Sequence, residues 1–380
     1  MTDVAIIGAG PAGSTLGLQL ARSGYDVTLL ERSRFPRVKV CGDYLCTGAL
    51  ASLRDLGVAD AVLAGAHPIR SIALFGFDAQ LSMRLEGSAA SLPREILDDR
   101  LLAQTRACGA RVVHGVYLRA EEAGRALRVE YRDHNGVTRE FVTRVLVGAD
   151  GAWSTVAQRA GMAALMRPAG RWAVGGKLPD RQSRDELSMY VGGGGYYARN
   201  PLGEDISNSM LVLPKPARPT EADEIVKQIS AGSRRFEPEN IERVVAVGPL
   251  RYRASRVARG RILLTGDAAE LLDPFTGQGV ATAMSLSFPA AAAATALLRG
   301  EPEARVARRY AAHWKSIVGP RRALGAVVEA VVRVRFLRER ALRSIARDAR
   351  AVYALLASVS GLAPARDALA PAVLFELLAS

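Results

Sequence analysis

Cysteine and histidine are scarce in this 380-residue chain. Cys41, Cys46 and Cys108 form an odd set without paired spacing, which excludes a disulfide framework and offers no thiolate zinc pattern. A reducing, cytoplasmic setting is expected. His67, His114, His134 and His313 stand far apart, so neither a metal site nor a catalytic histidine is assigned. Tryptophan is equally sparse, with Trp153, Trp172 and Trp314 widely separated. No apolar stretch approaches the ~20 residues of a membrane span. No charged leader with an apolar core precedes Val4, so a secretory signal is not expected either. Internal repeats and low-complexity tracts are missing as well.

Acidic residues are the minority charge: 38 Asp+Glu face 51 Lys+Arg, a formal net charge of +13. Such a balance suits nucleic acid, an anionic membrane surface or an acidic carrier. Much of the excess is local, because residues 301–350 hold 13 Lys/Arg against 5 Asp/Glu. No nucleic-acid module accompanies it, and nucleic acid is not an expected partner. Apolar residues are plentiful at 49%, enough to bury an extensive core in a chain above the usual size of one domain. Two lobes are expected.

Glycine is concentrated at turns. The segment VAIIGAGPAGSTLGLQLARSGYDVTLLER, residues 4–32, opens on the apolar run Val4 to Ile7, which reads as one buried parallel strand. It turns on Gly8, Gly10 and Gly13, with Ala12 among them. The first glycine permits a tight turn, the second lets a pyrophosphate approach the backbone, and the third lets the next helix pack close to the strand. That helix, roughly Pro11 to Ser23, aims free N–H groups and its positive dipole end at phosphate. A second strand, Asp26 to Leu30, ends in Glu31, placed to accept hydrogen bonds from a ribose diol. These residues read as a dinucleotide site without distinguishing NAD from FAD.

Two later segments narrow the choice. In VLVGADGAWSTV, residues 145–156, an apolar strand runs into Gly148, Asp150 and Gly151, and Ser154 is placed to cap a following helix. In RILLTGDAAELLDPFTGQGVATAMSLS, residues 261–287, the strand Ile262 to Thr265 ends in Gly266 and Asp267, and Gly277, Gln278 and Gly279 open a helix from Val280 to Ser287. The N-terminal amides of such a helix stabilise negative charge. The order of the three motifs resembles the flavoprotein superfamily of para-hydroxybenzoate hydroxylase-like monooxygenases, flavin-dependent halogenases and geranylgeranyl reductases. By that resemblance FAD is the cofactor. Gly8, Gly10, Ala12 and Gly13 cradle its pyrophosphate, Glu31 with the adjoining Arg32 takes the adenosine ribose end, Asp267 the ribityl or pyrophosphate part, and Gly277 to Gly279 the isoalloxazine edge.

The stretch RSRFPRVKVCGDYLCTGAL, with Arg37, Lys39, Cys41 and Gly42, resembles the lysine-cysteine-glycine stretch of geranylgeranyl reductase-like enzymes, which places Arg37 and Cys41 near the cofactor. SLPREILDDRLLAQTRACGARV, residues 91–112, resembles the superfamily's arginine-then-aspartate helix start, in which the residue matching Arg94 reaches the cofactor. Asp98 reads as a plain acid near a helix N-terminus. The chain also departs from its relatives. It lacks the halogenases' tryptophan-rich signature and carries Glu270 where many aromatic hydroxylases have histidine. Where reductases have Tyr-x-Trp-x-Phe-Pro, it has Tyr197-Ala198-Arg199-Asn200-Pro201.

The expected fold is α/β: a discontinuous Rossmann-like FAD-binding domain (residues 1–67, 93–160 and 250–300), a β-sheet-based substrate domain (68–92 and 161–249) and a helical C-terminal region (301–380). Residues 68–92 alternate apolar and polar as half-buried strands do. The glycines of 192–195 read as a hairpin turn or a close approach to the flavin, Pro214, Pro216 and Pro219 as a surface loop, and Glu221 to Ser230 as a helix. Gly319-Pro320, Gly361 and Pro371 are expected to punctuate the helices of the tail. There, arginines 333, 335, 338, 340, 343, 347 and 350 interleave with Phe336, Leu337, Leu342 and Ile345, as in a helix that lies on anionic lipid or one that packs as a cover; the cover is favoured. The expected activity is an FAD-dependent reduction of a carbon–carbon double bond in a hydrophobic, isoprenoid-like or carrier-bound substrate, driven by NAD(P)H. The alternatives are an FAD monooxygenase and a flavin-bearing electron-transfer protein.

Overall fold

The computed structural model describes residues 1–76, 79–164, 171–180, 185–192, 195–214, 245–347 and 350–378. The glycine run at 192–195 and the proline loop at 214–219 fall partly outside these residues, and the expected helix at 221–230 wholly so. The side chains of Leu342, Arg343, Ile345 and Arg347 are likewise outside the description.

The chain folds as α/β around two large sheets. In the first, Thr2–Ile7 lies between Val27–Glu31 and Thr138–Gly148, parallel to both. Arg111–His114 and Ile262–Leu264 extend the sheet in parallel on either side, and the hairpin Val116–Ala123 and Ala126–Arg132 leads into Thr138–Gly148. Val4, Ala5, Ile6, Leu146, Val147, Leu263 and Leu264 are all fully buried. Burial on both faces explains why these strands read as unbroken apolar runs. Register then does the functional work: Ile7 stands opposite Leu30 and Gly148, and Leu264 opposite Gly148. Motifs far apart in sequence thereby end at the same carboxyl edge of one parallel sheet, where open α/β sheets bind ligands.

The second sheet is ordered Val245–Val247, Trp172–Pro179, Ile206–Leu213, Gly195–Gly203, Glu186–Gly192, His67–Gly76, Ala79–Ser91 and Tyr44–Leu45. It is antiparallel except where Glu186–Gly192 runs with His67–Gly76. The alternation read in residues 68–92 corresponds to two of these strands.

Two helices depart from expectation. The helix expected to end at Ser287 runs Gly279–Leu298, straight through Pro289. This 20-residue helix, with a mean hydropathy of 1.5, is long and apolar enough to cross a membrane, contrary to the sequence reading, but 67% of its apolar stretch is buried inside the protein. Gly319-Pro320 also fails to break the chain, since one helix spans Glu303–Arg333. Its buried face steps by four through Val306, Tyr310, Trp314 and Val318 and continues with Leu324, Val328 and Val332. Packing along that stripe outweighs the local cost of proline. The first four residues belong to the core of the first sheet and the last three to an apolar layer on the second sheet, so a single helix spans both lobes.

Candidate functional site

The glycine turn is built by exclusion. Gly8 adopts φ +98°, and a Cβ there would lie 2.5 Å from the Ala149 carbonyl oxygen; one on Gly13 would lie 1.9 Å from that of Gly8. First strand, first helix and second motif therefore meet at van der Waals limit, which only glycine allows. Gly10 differs: its nearest neighbour is Arg37 Nη2 at 3.6 Å. The helix Pro11–Arg22 starts at Gly10 with no side-chain cap, so its first amides are available to an anion. Glu31, at the end of the second strand, is 4% exposed. Its carboxylate accepts hydrogen bonds from the Ala9 amide (2.8 Å) and the Ser33 amide (2.9 Å), and lone pairs remain for a further donor. Arg32 is exposed beside it.

Arg37, Arg94 and Asp98 form one buried ion cluster. Asp98, read from the sequence as a plain acid near a helix N-terminus, lies in the helix Arg94–Ala107 and is fully buried. It receives Arg94 in a bidentate pair at 2.9 Å through Nε and Nη2 and Arg37 Nη2 at 3.3 Å; Arg37 also stands 4.0 Å from Glu31. One carboxylate thus orients two arginines, and a fork of this kind fixes guanidinium planes in a way lysine does not. The Arg94 guanidinium also acts on the Cys41 thiol. Burial pushes the Cys41 thiol up, with Arg94 opposing, so Cys41 is a neutral thiol rather than an activated nucleophile. Lys39 is pushed down by desolvation and then by Arg94, against the pull of Asp267. The end of this stretch meets the third motif where Tyr44 packs against Gly277.

Polar side chains that the sequence did not reveal hold this stretch to the second sheet. Asn208 Nδ2 donates to the Cys41 carbonyl (2.7 Å) and to Asp43 Oδ2 (2.6 Å). Asn200 Nδ2 donates to the Gly42 carbonyl (2.8 Å) and its Oδ1 accepts from Ser91 (2.7 Å). Asp43, at φ 54° and 4% exposed, accepts the Arg94 amide at 3.0 Å, and burial raises its pKa to about 6. The one available signal was Asn200 itself, inside the segment where the reductase pattern is broken.

In the second motif, Asp150 caps the short helix behind it, accepting from Ser154 (2.5 Å) and the Thr155 and Val156 amides; Ser154 caps the Ala157 amide as expected. In the third, Gly266 takes φ +58°, and a Cβ there would sit 2.8 Å from Ala12, which sets Asp267 beside the start of the first helix. Burial raises the pKa of Asp267, and Lys39 and Arg94 oppose the shift. Gly277 takes φ +62° against Tyr44, while Gly279 has open space around it. Gln278 is turned away from the helix mouth: its amide nitrogen Nε2 donates to the Ser358 and Val359 carbonyls (2.6 and 2.9 Å) and its Oε1 accepts from Arg321 (3.2 Å). Glu270 forms a bidentate pair with Arg322 (2.7 and 2.6 Å). The C-terminal region is thus tied directly to the loop that opens the helix.

The residues fit a flavin dinucleotide. Two helices, at Gly10 and Gln278, begin without side-chain caps, Gly10 and Gly279 leave room at both, and the carboxylates of Glu31 and Asp267 lie near them. Among the described residues no His/Cys/Asp/Glu group could hold a metal. The FAD binding domain family matches residues 1–319. A menaquinone reductase of Mycolicibacterium smegmatis is 29% identical, covering 73% of this chain and 72% of its own. A digeranylgeranylglycerophospholipid reductase of Methanothermobacter thermautotrophicus is 25% identical over 81% of each. A geranylgeranyl bacteriochlorophyll reductase-like structure from Thermoplasma acidophilum shares the fold, with a TM-score of 0.81, 19% identity and coverage of 99% of this chain and 98% of its own.

Proposed function

From the premise that this chain belongs to the FAD binding domain family, as an FAD-dependent oxidoreductase, we propose that it reduces a carbon–carbon double bond in a hydrophobic substrate, with NAD(P)H as electron source. Bound FAD supplies the hydride chemistry. The protein supplies position and electrostatics: the amides after Gly10 with Arg37 hold the pyrophosphate, Glu31 the adenosine ribose, Asp267 the polyol chain, and the helix N-terminus at Gly279 the ring edge where negative charge gathers. Arg94, fixed by Asp98, and the neutral Cys41 line the same place.

The observation that carries the choice of substrate is the apolar layer over the second sheet. Leu74, Leu81, Met189, Val191, Met210 and Val212 form one buried apolar cluster, which Phe275 joins from the turn just before Gly277, and a hydrophobic chain would be accommodated by parting this cluster. Leu324, Val328, Val332, Leu355 and Leu356 close it from above. Methionine-bearing surfaces of this kind adapt to flexible chains. The menaquinone and digeranylgeranyl lipid relatives support an isoprenoid-like substrate. The test is to reduce the enzyme-bound flavin anaerobically, add an isoprenoid lipid and follow the flavin spectrum. Reoxidation without oxygen, with a saturated product by mass spectrometry, is expected. A flavin that stays reduced until oxygen enters, and then hydroxylates or epoxidises the lipid, would replace reduction by oxygenation.

A further inference from the structure

Where the second sheet meets the Pro274–Thr276 turn, the apolar layer contains a charge that the cofactor site does not use. Arg171 is 4% exposed, and among the described residues none of its three guanidinium nitrogens has a hydrogen-bond acceptor. Its nearest acid is Asp273, with Oδ2 3.6 Å from Nη1, too far for a hydrogen bond. The other oxygen of Asp273 accepts the Phe275 amide at 2.9 Å and caps the turn. The guanidinium carbon lies 5.7 Å from the Tyr196 ring centroid, and Tyr196 meets Phe275 edge-on at 4.9 Å. The Tyr196 hydroxyl is buried and likewise has no partner among the described residues. Burial holds its pKa well above the ordinary value, so it remains an O–H donor.

Donors therefore outnumber acceptors here. A guanidinium carries five N–H groups and a phenol one, and buried donors left unmade are costly. Asp273 balances the charge of Arg171 without accepting its hydrogen bonds. The missing component is an acceptor, and the location names its source: hydrocarbon on one side, the turn leading to Gly277–Gly279 on the other. We propose that Arg171 and Tyr196 recognise a carboxylate or carbonyl oxygen at the end of the hydrophobic substrate, and so set which part of its chain lies beside the Gly277–Gly279 loop. This rests on the apolar layer being the substrate site, and it adds that the substrate carries an oxygen acceptor rather than being hydrocarbon throughout.

Binding of octanoate, 2-decanone and octyltrimethylammonium to the FAD-loaded enzyme, read as perturbation of the flavin spectrum, tests the assignment. The three probes share an alkyl chain and differ in the head group, the last having no acceptor. Wild type should bind the first two at least tenfold more tightly than the third. Arg171→Met should lose that preference for both, with octyltrimethylammonium binding equal or tighter because Asp273 is left without its cation, and Tyr196→Phe should weaken octanoate and 2-decanone by about threefold with octyltrimethylammonium unchanged, while FAD content stays unchanged in both variants. Arg171→Lys, which keeps charge but not the fork, should recover octanoate better than 2-decanone. Equal loss for all three probes together with a lower Tm would assign Arg171 a structural role and overturn the proposal, as would wild-type binding in Arg171→Met. If Arg171→Met does not hold FAD, unaltered octanoate and 2-decanone binding in Tyr196→Phe overturns it. Failure of the reductase reading is seen separately, as an anaerobic flavin that no alkene reoxidises whatever these probes do.

Discussion

A single methyl group separates Gly13 from alanine, yet its position would be 1.9 Å from the Gly8 carbonyl oxygen. Gly13→Ala should therefore force strand and helix apart, at about 1–3 kcal/mol, and release FAD, as measured by Tm and by the flavin-to-protein absorbance ratio. A Cβ at Gly279 meets no neighbour within 4 Å, so Gly279→Ala should keep its stability within about 0.5 kcal/mol and instead slow flavin reduction by crowding the helix mouth. A large Tm loss in Gly279→Ala would mean that the space there is not open. Asp43 makes a pH-dependent contribution. Its carboxyl has a pKa of about 6 when folded against a reference of 3.8, so the folded state holds the proton more tightly. Stability from this group is full below about pH 3.8, falls as pH rises to about 6, and is level above that. Asp43→Asn should show a Tm difference from wild type that shifts in favour of the variant between about pH 4 and 6, and then stops changing. At this scale the glycines and Glu31 were legible because each answers a local backbone demand. Asn200, Asn208 and Asp43 were not, because the two asparagines reach Cys41, Gly42 and Asp43 from another lobe and leave no spacing in the sequence; the burial of Asp98 was not, because Arg37 comes to it from a distant loop.

At the scale of elements, ion pairs join the third motif to the long C-terminal helix. Glu270 is buried, whereas the Arg322 side chain is 34% exposed. Removing either partner is asymmetric for that reason. Arg322→Met strands a carboxylate with Arg253 at 3.8 Å as its remaining cation and should cost about 2–4 kcal/mol; Glu270→Gln leaves an arginine that water can reach and should cost less. Urea unfolding of both variants decides it, and the reverse order would mean that Glu270 gains little from its burial. The basic run farther on is not one uniform face. Arg338 is buried and donates to the Val332 carbonyl (2.8 Å), while Arg333 and Arg335 pair with Glu329 and Glu339 one turn away. Arg338→Ala should lower Tm, whereas Arg333→Ala and Arg335→Ala should change it little. Phe336 and Phe375 remain exposed nearby at 59% and 72%, so co-sedimentation with anionic vesicles at low salt is the direct check on a lipid-facing role. Loss of that binding on adding salt or neutralising Arg333 and Arg335 would establish the role; no binding at low salt would remove it. Strands and caps were readable here from apolar runs and from Ser154. The continuity of the long helix through Pro320 was not, since it depends on a buried stripe whose two halves pack on different cores.

For the whole molecule, the α/β class was readable from three strand-to-turn motifs in order, because parallel strands buried on both faces have a plain signature. The arrangement of the second sheet was less so: its strands are mostly antiparallel neighbours brought in from both sides of the central motifs, and their side chains face either an apolar layer or the cofactor stretch. The long helix Glu303–Arg333 has one more consequence, and it concerns time rather than shape. On the ribosome the first strand emerges early, but Asp3 waits for Thr143, a contact 140 residues away, and Leu146 waits for Ile262. Val306 to Val332, which complete both cores, come later still. Such non-local pairing delays stable folding and leaves apolar strands open to other chains. Nascent chains stalled at Gly300 should therefore be cut readily by protease within residues 1–150, and released full-length protein should resist. Equal resistance in both would mean that the first lobe closes before its last helix has been made.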